Sequence, residues 1–194
     1  MMLTTALVDR LTLDDFLALD LQDDRIYELE QGQLRSMPTE SDLNLQIASL
    51  MFAQLLQLGI PPARLRIGTE IVVQSDQATV RRPDLVVLSE GLALALAESG
   101  SSTVMPEFPA PELVVEVVSP GKENADRDYR YKRSEYAVCG IREYWIVDPG
   151  RGVVSVLEWV DGFYEVVEFG GGDRVVSPQF GDLGITVSEL LALA

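Results

Sequence analysis

Histidine is absent from this 194-residue chain, and cysteine occurs once, at Cys139. Without histidine there is no Ser-His-Asp triad, no imidazole general base and no His-ligated zinc or copper site. A single cysteine excludes an internal disulfide and any CxxC metal knuckle, and one free thiol fits a reducing interior. Long apolar runs are missing too. The longest, at 47–58, 91–97 and 113–118, fall well short of the ~20 residues a bilayer requires. The N-terminal stretch has no long apolar segment and no small-residue cleavage site, so a soluble, cytoplasmic protein with no membrane attachment is expected. Basic residues are scarce: 15 Lys and Arg face 31 Asp and Glu, for a net charge of −16. That excludes a domain whose whole surface is basic, while leaving room for a local basic patch.

What is present is ordinary globular composition, 47% hydrophobic and 24% charged, in a length that suits one domain over residues 1–194. Thr12, with Asp15 three residues on, reads as a capped helix start. Arg25–Glu30 and Gln33–Ser36 flank Gln31-Gly32 as a short hairpin. Ser41 or Asp42 caps a helix whose Leu43, Ile47, Leu50, Met51 and Leu55 recur at helical spacing, and Gly59 with Pro61-Pro62 stops it. Leu65–Gln74 and Thr79–Leu88 read as two strands. Leu113–Val118 is an apolar run broken only by Glu116, as in a strand buried on both faces. A charged helix is expected over Asp126–Cys139, closed by Gly140, then a buried strand at Glu143–Val147. Val153–Val160 and Phe163–Phe169 form a hairpin around Asp161-Gly162, and Val187–Ala194 a short helix. Strand, helix and strand at 113–147 require a parallel pair. The expected fold is mixed α/β (α+β). The apolar terminal hairpin also suggests a homodimer built through it and the last helix, because long apolar edges are usually covered.

Three features carry possible chemistry. Asp84 ends Arg81-Arg82-Pro83-Asp84 just before Leu85-Val86-Val87-Leu88; it is either a strand-edge cap or a ligand. Glu116 lies inside a buried strand, which is costly unless the carboxylate is paired or metal-bound. Asp128, Lys132, Tyr136 and Gly140 recur at four-residue steps along one helix side, and the plainer account of Asp128 and Lys132 is an exposed i,i+4 ion pair. Taken together, two carboxylates from neighbouring strands suit Mg²⁺ or Mn²⁺, with the Val117 carbonyl as a further oxygen ligand. A lysine beside them can serve the attacking water and a phosphate. The chemistry expected is metal-assisted phosphodiester hydrolysis. Lys122, Arg127, Arg130 and Arg133 form the densest basic cluster: a solvated helix face, or contacts to a nucleic-acid backbone. Trp145 and Trp159 read as core or sheet-face residues.

Arg82-Pro83-Asp84-Leu85, Pro111–Pro120, the Asp128/Lys132/Tyr136/Gly140 set and Glu143–Pro149, with Tyr27-Glu28-Leu29 and Met37-Pro38-Thr39 upstream, resemble the Uma-two family of restriction-endonuclease-like proteins over most of the chain, from about Leu13 onward. The resemblance implies a PD-(D/E)XK nuclease core, a mixed central sheet flanked by helices, here with an extra hairpin at each end. It implies that Pro83-Asp84 is the PD element and Glu116 the second acid, with Asp84, Glu116 and Lys132 catalytic and DNA the substrate. Valine stands where the lysine of the general pattern follows the second acid, and the resemblance implies that its place is taken by Lys132. An acid from the first core helix often completes such sites, for which Glu40 and Glu28 are the candidates. At Asn44 the chain departs from relatives that carry histidine. A different class of function on the same fold, a non-catalytic interaction module, stays open, because a fold does not guarantee an activity; so does hydrolysis of another phosphate ester.

Overall fold

The computed structural model describes residues 10–192 except 21, 22, 24, 40 and 74. Helix α1 (Leu13–Leu17) starts in a full capping box between Thr12 and Asp15. Strands β1 (Tyr27–Glu30) and β2 (Gln33–Ser36) pair around Gln31-Gly32, both at positive φ, as a two-residue I′ turn requires. Helix α2 (Asp42–Gln57) is capped by the Ser41 hydroxyl, which accepts from the Asn44 N–H. It buries Ile47, Ala48, Met51 and Leu55 together with the polar Asn44.

The two long strands expected over 65–88 are each broken in two. They become β3 (Leu65–Arg66), β4 (Glu70–Val73), β5 (Thr79–Arg81) and β6 (Leu85–Val87). The breaks fall at Gly68, whose φ is +78°, and at Pro83. A Cβ on Gly68 would lie 2.9 Å from the Arg82 guanidinium, and proline has no N–H to continue a ladder. These breaks let one ribbon cross between two sheets. One sheet runs β2-β1-β5-β4-β7, where β7 is Thr103–Val104 after helix α3 (Glu90–Ser99). The other runs β11-β10-β9-β8-β6-β3, where β8 is Leu113–Val117, β9 Glu143–Asp148, β10 Val153–Val160 and β11 Phe163–Gly170. β8 and β9 are parallel, as the crossover requires, while β6 and β8 are antiparallel.

Side chains alternate across the six-stranded sheet. Leu85, Val87, Leu113, Val115, Trp145 and Val147 pack under α2. Val86, Val114, Tyr144 and Ile146 pack on the opposite face with α3 and Tyr136. Glu116 shares the parity of Val114 and so belongs to that second face.

The crossover helix begins earlier than the residue pattern suggests and is not uniform. It comprises α4 (Lys122–Asp126), a π-helical stretch at Arg127–Lys132 and α5 (Arg133–Val138). A π-helix is wound on bonds reaching five residues back, a widening often found at functional sites. The Tyr144 hydroxyl donates to the Asp128 carbonyl (3.0 Å) and fastens this stretch to β9. The chain then adds a pair that the sequence reading did not contain, β12 (Arg174–Ser177) and β13 (Gly181–Thr186), before α6 (Val187–Leu191). Among the described residues no helix is long and apolar enough to cross a membrane.

Candidate active site

Continued by one residue, the β6–β8 register (Leu85 opposite Val115) sets Asp84 opposite Glu116. Asp84 Oδ2 accepts the Val117 N–H at 2.6 Å. Val118 donates toward β9, to the Val147 carbonyl; Val117, one residue earlier, therefore turns its backbone polar groups to the β6 side. There its carbonyl faces the Asn44 amide at 3.4 Å, and Asn44 also donates to the Ser119 hydroxyl at 3.1 Å. The two acids and the Val117 carbonyl thus come together where β6 and β8 meet.

The helix stripe faces inward. Lys132 is only 2% exposed, and its Nζ lies 2.7 Å from Glu116 Oε2, 3.3 Å from Asp128 Oδ1 and 3.9 Å from Glu28 Oε1. The Tyr136 hydroxyl donates to Glu116 Oε1 at 2.7 Å. An exposed Asp128–Lys132 surface pair is therefore not what the chain builds: both residues are buried, and the lysine is the shared counter-ion of three carboxylates. The reason is the adjacent strand, which places a buried acid directly beneath the helix.

Sequence reasoning passed over Arg81, although a charge among Thr79, Val80 and Leu85 carries the same signal as Glu116. Arg81 is 1% exposed and ion-pairs with Glu28 (3.2 Å), Glu30 (3.3 Å) and Glu135 (2.8 Å). Glu28 also accepts the Arg82 N–H at 3.1 Å. It joins this network to Lys132 from β1, not from the first core helix. Glu40, the other acid considered, lies outside the described residues.

The electrostatics follow from burial. Loss of water pushes the Glu116 carboxyl above its ordinary range; Lys132 opposes the rise, and Asp128, Asp84 and Glu28 add to it. Burial works to discharge Lys132, but Glu116, Asp128 and Glu28 outweigh it and hold its ammonium charged. Burial also works to raise Glu28, yet Lys132, Arg81 and the Arg82 N–H leave it below the usual carboxylate range.

Two carboxylates and a backbone carbonyl are the hard oxygen donors that Mg²⁺ or Mn²⁺ takes while keeping several waters. The donor set therefore fits such an ion. Among the described residues no group of three or more Asp, Glu or Cys side chains is arranged for a metal, so backbone and water would have to complete the coordination.

Burial of an acid does not by itself mark this site. Glu143 is equally buried in β9, but its carboxylate accepts from the Ser177 hydroxyl, the Trp145 indole and the Gln179 N–H, all neutral donors, and ties β9 to β12. Of the basic cluster, Lys122 and Arg127 line one cleft, whereas Arg130 is exposed and lies 3.9 Å from Asp126. Arg133 is spent on the Tyr164 carbonyl (2.9 Å). Trp145 is core; Trp159 is partly exposed and donates to the Ala137 carbonyl.

A mixed sheet flanked by helices thus carries two acids at the β6–β8 junction and a buried lysine from the crossover helix. Residues 13–188 match the Uma2 family, described as "Putative restriction endonuclease", and the chain belongs to that family. Its fold is similar to the crystal structure of a putative nuclease belonging to DUF820 from Anabaena variabilis ATCC 29413, with a TM-score of 0.70, 18% identity, and coverage of 94% of this chain and 98% of that one. No curated protein matches.

Proposed function

We propose that this protein is a divalent-metal-dependent DNA endonuclease, in which Asp84, Glu116 and the Val117 carbonyl hold Mg²⁺ or Mn²⁺ and Lys132 serves the reacting phosphate. The observation that carries the reading is the 2.7 Å contact between Lys132 Nζ and Glu116 Oε2. It supports an assignment in which a lysine from the helix takes over the role of the lysine that valine replaces after the second acid. The bound cation supplies Lewis acidity toward a phosphoryl oxygen and a more acidic water. Asp84, just before β6, and Glu116, within β8, would hold that ion. The Lys132 ammonium stays charged, and its Nζ donates a hydrogen bond to the scissile phosphate as charge builds there. Tyr136, through its hydroxyl on Oε1, fixes the rotamer of Glu116 and leaves Oε2 to the lysine.

Purified protein is expected to cleave plasmid or single-stranded DNA in Mg²⁺ or Mn²⁺ and to stop in EDTA. Glu116→Gln is expected to weaken the metal affinity itself, raising the Mg²⁺ concentration for half-maximal rate by about tenfold or more, at least the loss seen when a mere outer-shell partner of a ligand is removed. Cleavage indifferent to EDTA would sink the proposal. One observation favours the alternative of a non-catalytic interaction module: Glu116 is 4% exposed and Lys132 less, so the pair lies closed off from solvent. Complete inactivity on every DNA form, with metal present, decides for that module.

We further propose a homodimer through the β10–β11 hairpin, because β11 is the open edge of the six-stranded sheet and leaves Phe163, Val166 and Val167 exposed. Light scattering at micromolar concentration should then give twice the chain mass; a monomer mass rejects it.

A further inference from the structure

We infer that the cleft between the β1–β2 hairpin and the crossover helix binds single-stranded DNA, with Tyr131 as the stacking surface and Arg10, Lys122 and Arg127 as the phosphate contacts. The inference rests on the nuclease reading above and names its substrate form.

The cleft has a volume of about 620 Å³. Four acids border it, and each already has a cation. Arg35 takes Glu30 and Glu123, Arg81 takes Glu30 and Glu135, and Arg130 stands 3.9 Å from Asp126. Two cations of the same walls, Arg10 and Lys122, have no acid partner among the described residues, and a third, Arg127, has one only at long range. Arg10 hydrogen-bonds neutral groups, the Gln31 carbonyl and the Gln77 side chain. Lys122 has no acid within ion-pair distance among the described residues. Arg127 has only Asp128, at 3.8 Å, and its buried Nε makes no hydrogen bond. The walls hold five cations against four acids, a net charge of +1 in a chain of net charge −16, and Arg10, Lys122 and Arg127 are the cations least engaged and so best placed to meet phosphate. The cleft abuts the candidate active site, because Arg127 immediately precedes Asp128 in the π-helical stretch that also carries Lys132.

Tyr131 selects the form of the substrate. It is 54% exposed, a large ring offered to the cleft from that same stretch. Stacking of a base on an aromatic ring needs an unpaired base and draws little on charge. A duplex carries one negative charge per ~1.7 Å, and so small a positive excess does little to hold it against an acidic protein. A single strand gains from stacking what the electrostatics withhold.

The test is fluorescence anisotropy on the full chain in EDTA, which separates binding from cleavage, using fluorescein-labelled dT of about twelve nucleotides and a duplex of equal length. The single strand should bind more tightly than the duplex. Tyr131→Ala should weaken it by about tenfold and Tyr131→Phe should restore it, the ring rather than the hydroxyl being responsible. Lys122→Gln and Arg127→Gln should each flatten the slope of log K against log salt by about 0.7, which Tyr131→Ala should leave unchanged. Tighter duplex binding, no measurable binding at low salt, or Tyr131→Ala binding like the parent overturns the inference. Single-strand binding without cleavage after Mg²⁺ is restored refutes the nuclease reading and leaves the cleft assignment standing. Cleavage with binding indifferent to Tyr131 does the reverse.

Discussion

Lys132→Met is expected to abolish divalent-dependent DNA cleavage, by at least ~10²–10³-fold, the loss typical of removing one preorganised donor from developing negative charge. The packed stripe adds a second consequence. From spacing alone, an inward lysine replaced by methionine should leave the fold nearly intact, since the four-carbon stem is matched in length. In the structure Lys132 is the counter-ion for Glu116, Asp128 and Glu28. Its removal leaves buried carboxylates without their cation, a change that costs about 3–5 kcal/mol when one partner of a buried pair is lost. Urea unfolding should therefore show a lowered midpoint, and cleavage should be measured under conditions where circular dichroism shows the variant folded. Lys132→Met that cleaves like the parent ends the assignment of this lysine. A variant that is inactive but as stable as the parent would mean that the three acids are solvated or protonated without it.

Arg81→Leu should destabilise the protein by a similar ~3–5 kcal/mol at neutral pH, although Arg81 touches no part of the proposed chemistry. It is the cation that Glu28, Glu30 and Glu135 share. The sign of the pH dependence separates this from a packing defect. In the parent, Glu28 is held below its ordinary 4.5, so it stabilises the fold above that range, and this contribution is lost as pH falls through the depressed value. Without Arg81, burial of Glu28 is opposed chiefly by Lys132 and its carboxyl rises. A group raised in the folded state takes up a proton on folding, and stability falls as pH rises. The deficit of Arg81→Leu relative to the parent should thus be largest near pH 7 and shrink as pH drops toward the ordinary carboxylate range. Urea midpoints at pH 7 and pH 5 measure it. A deficit that does not change with pH would show that the lost guanidinium packing, not its charge, is responsible.

Much of the architecture is legible in the residues because it depends on local rules. The two I′ turns, the capped helices, the parallel β8–β9 pair and the two-faced alternation of β8 follow from turn chemistry, capping and a period of two. The acids Asp84 and Glu116 and the Asp128–Lys132–Tyr136 stripe could be singled out for the same reason: charge embedded in apolar strands, or repeated at a helical step, stands out along the chain. Where the reading stopped short, the deciding contacts are distant in sequence. Whether 65–88 is one hairpin or a ribbon shared between two sheets depends on what Gly68 and Pro83 meet on either side. The β12–β13 pair is short and rich in turn residues, and its Val175, Leu183 and Ile185 become core only against α2 and the six-stranded sheet.

The same limit governs the site. Glu116 and Glu143 carry the same signature along the chain, each an acid in a buried strand, and Arg81 shows its counterpart in a third. Patterning along the sequence determined that these charges would be buried. Only the tertiary structure decided what neutralises each: neutral donors 34 and 36 residues away for Glu143, a lysine from the following helix for Glu116, and acids from β1 and α5 for Arg81. The physical reason is that a charge taken out of water must be compensated within a few ångströms, and which groups lie within that distance is fixed by how strands and helices pack, not by their order in the chain.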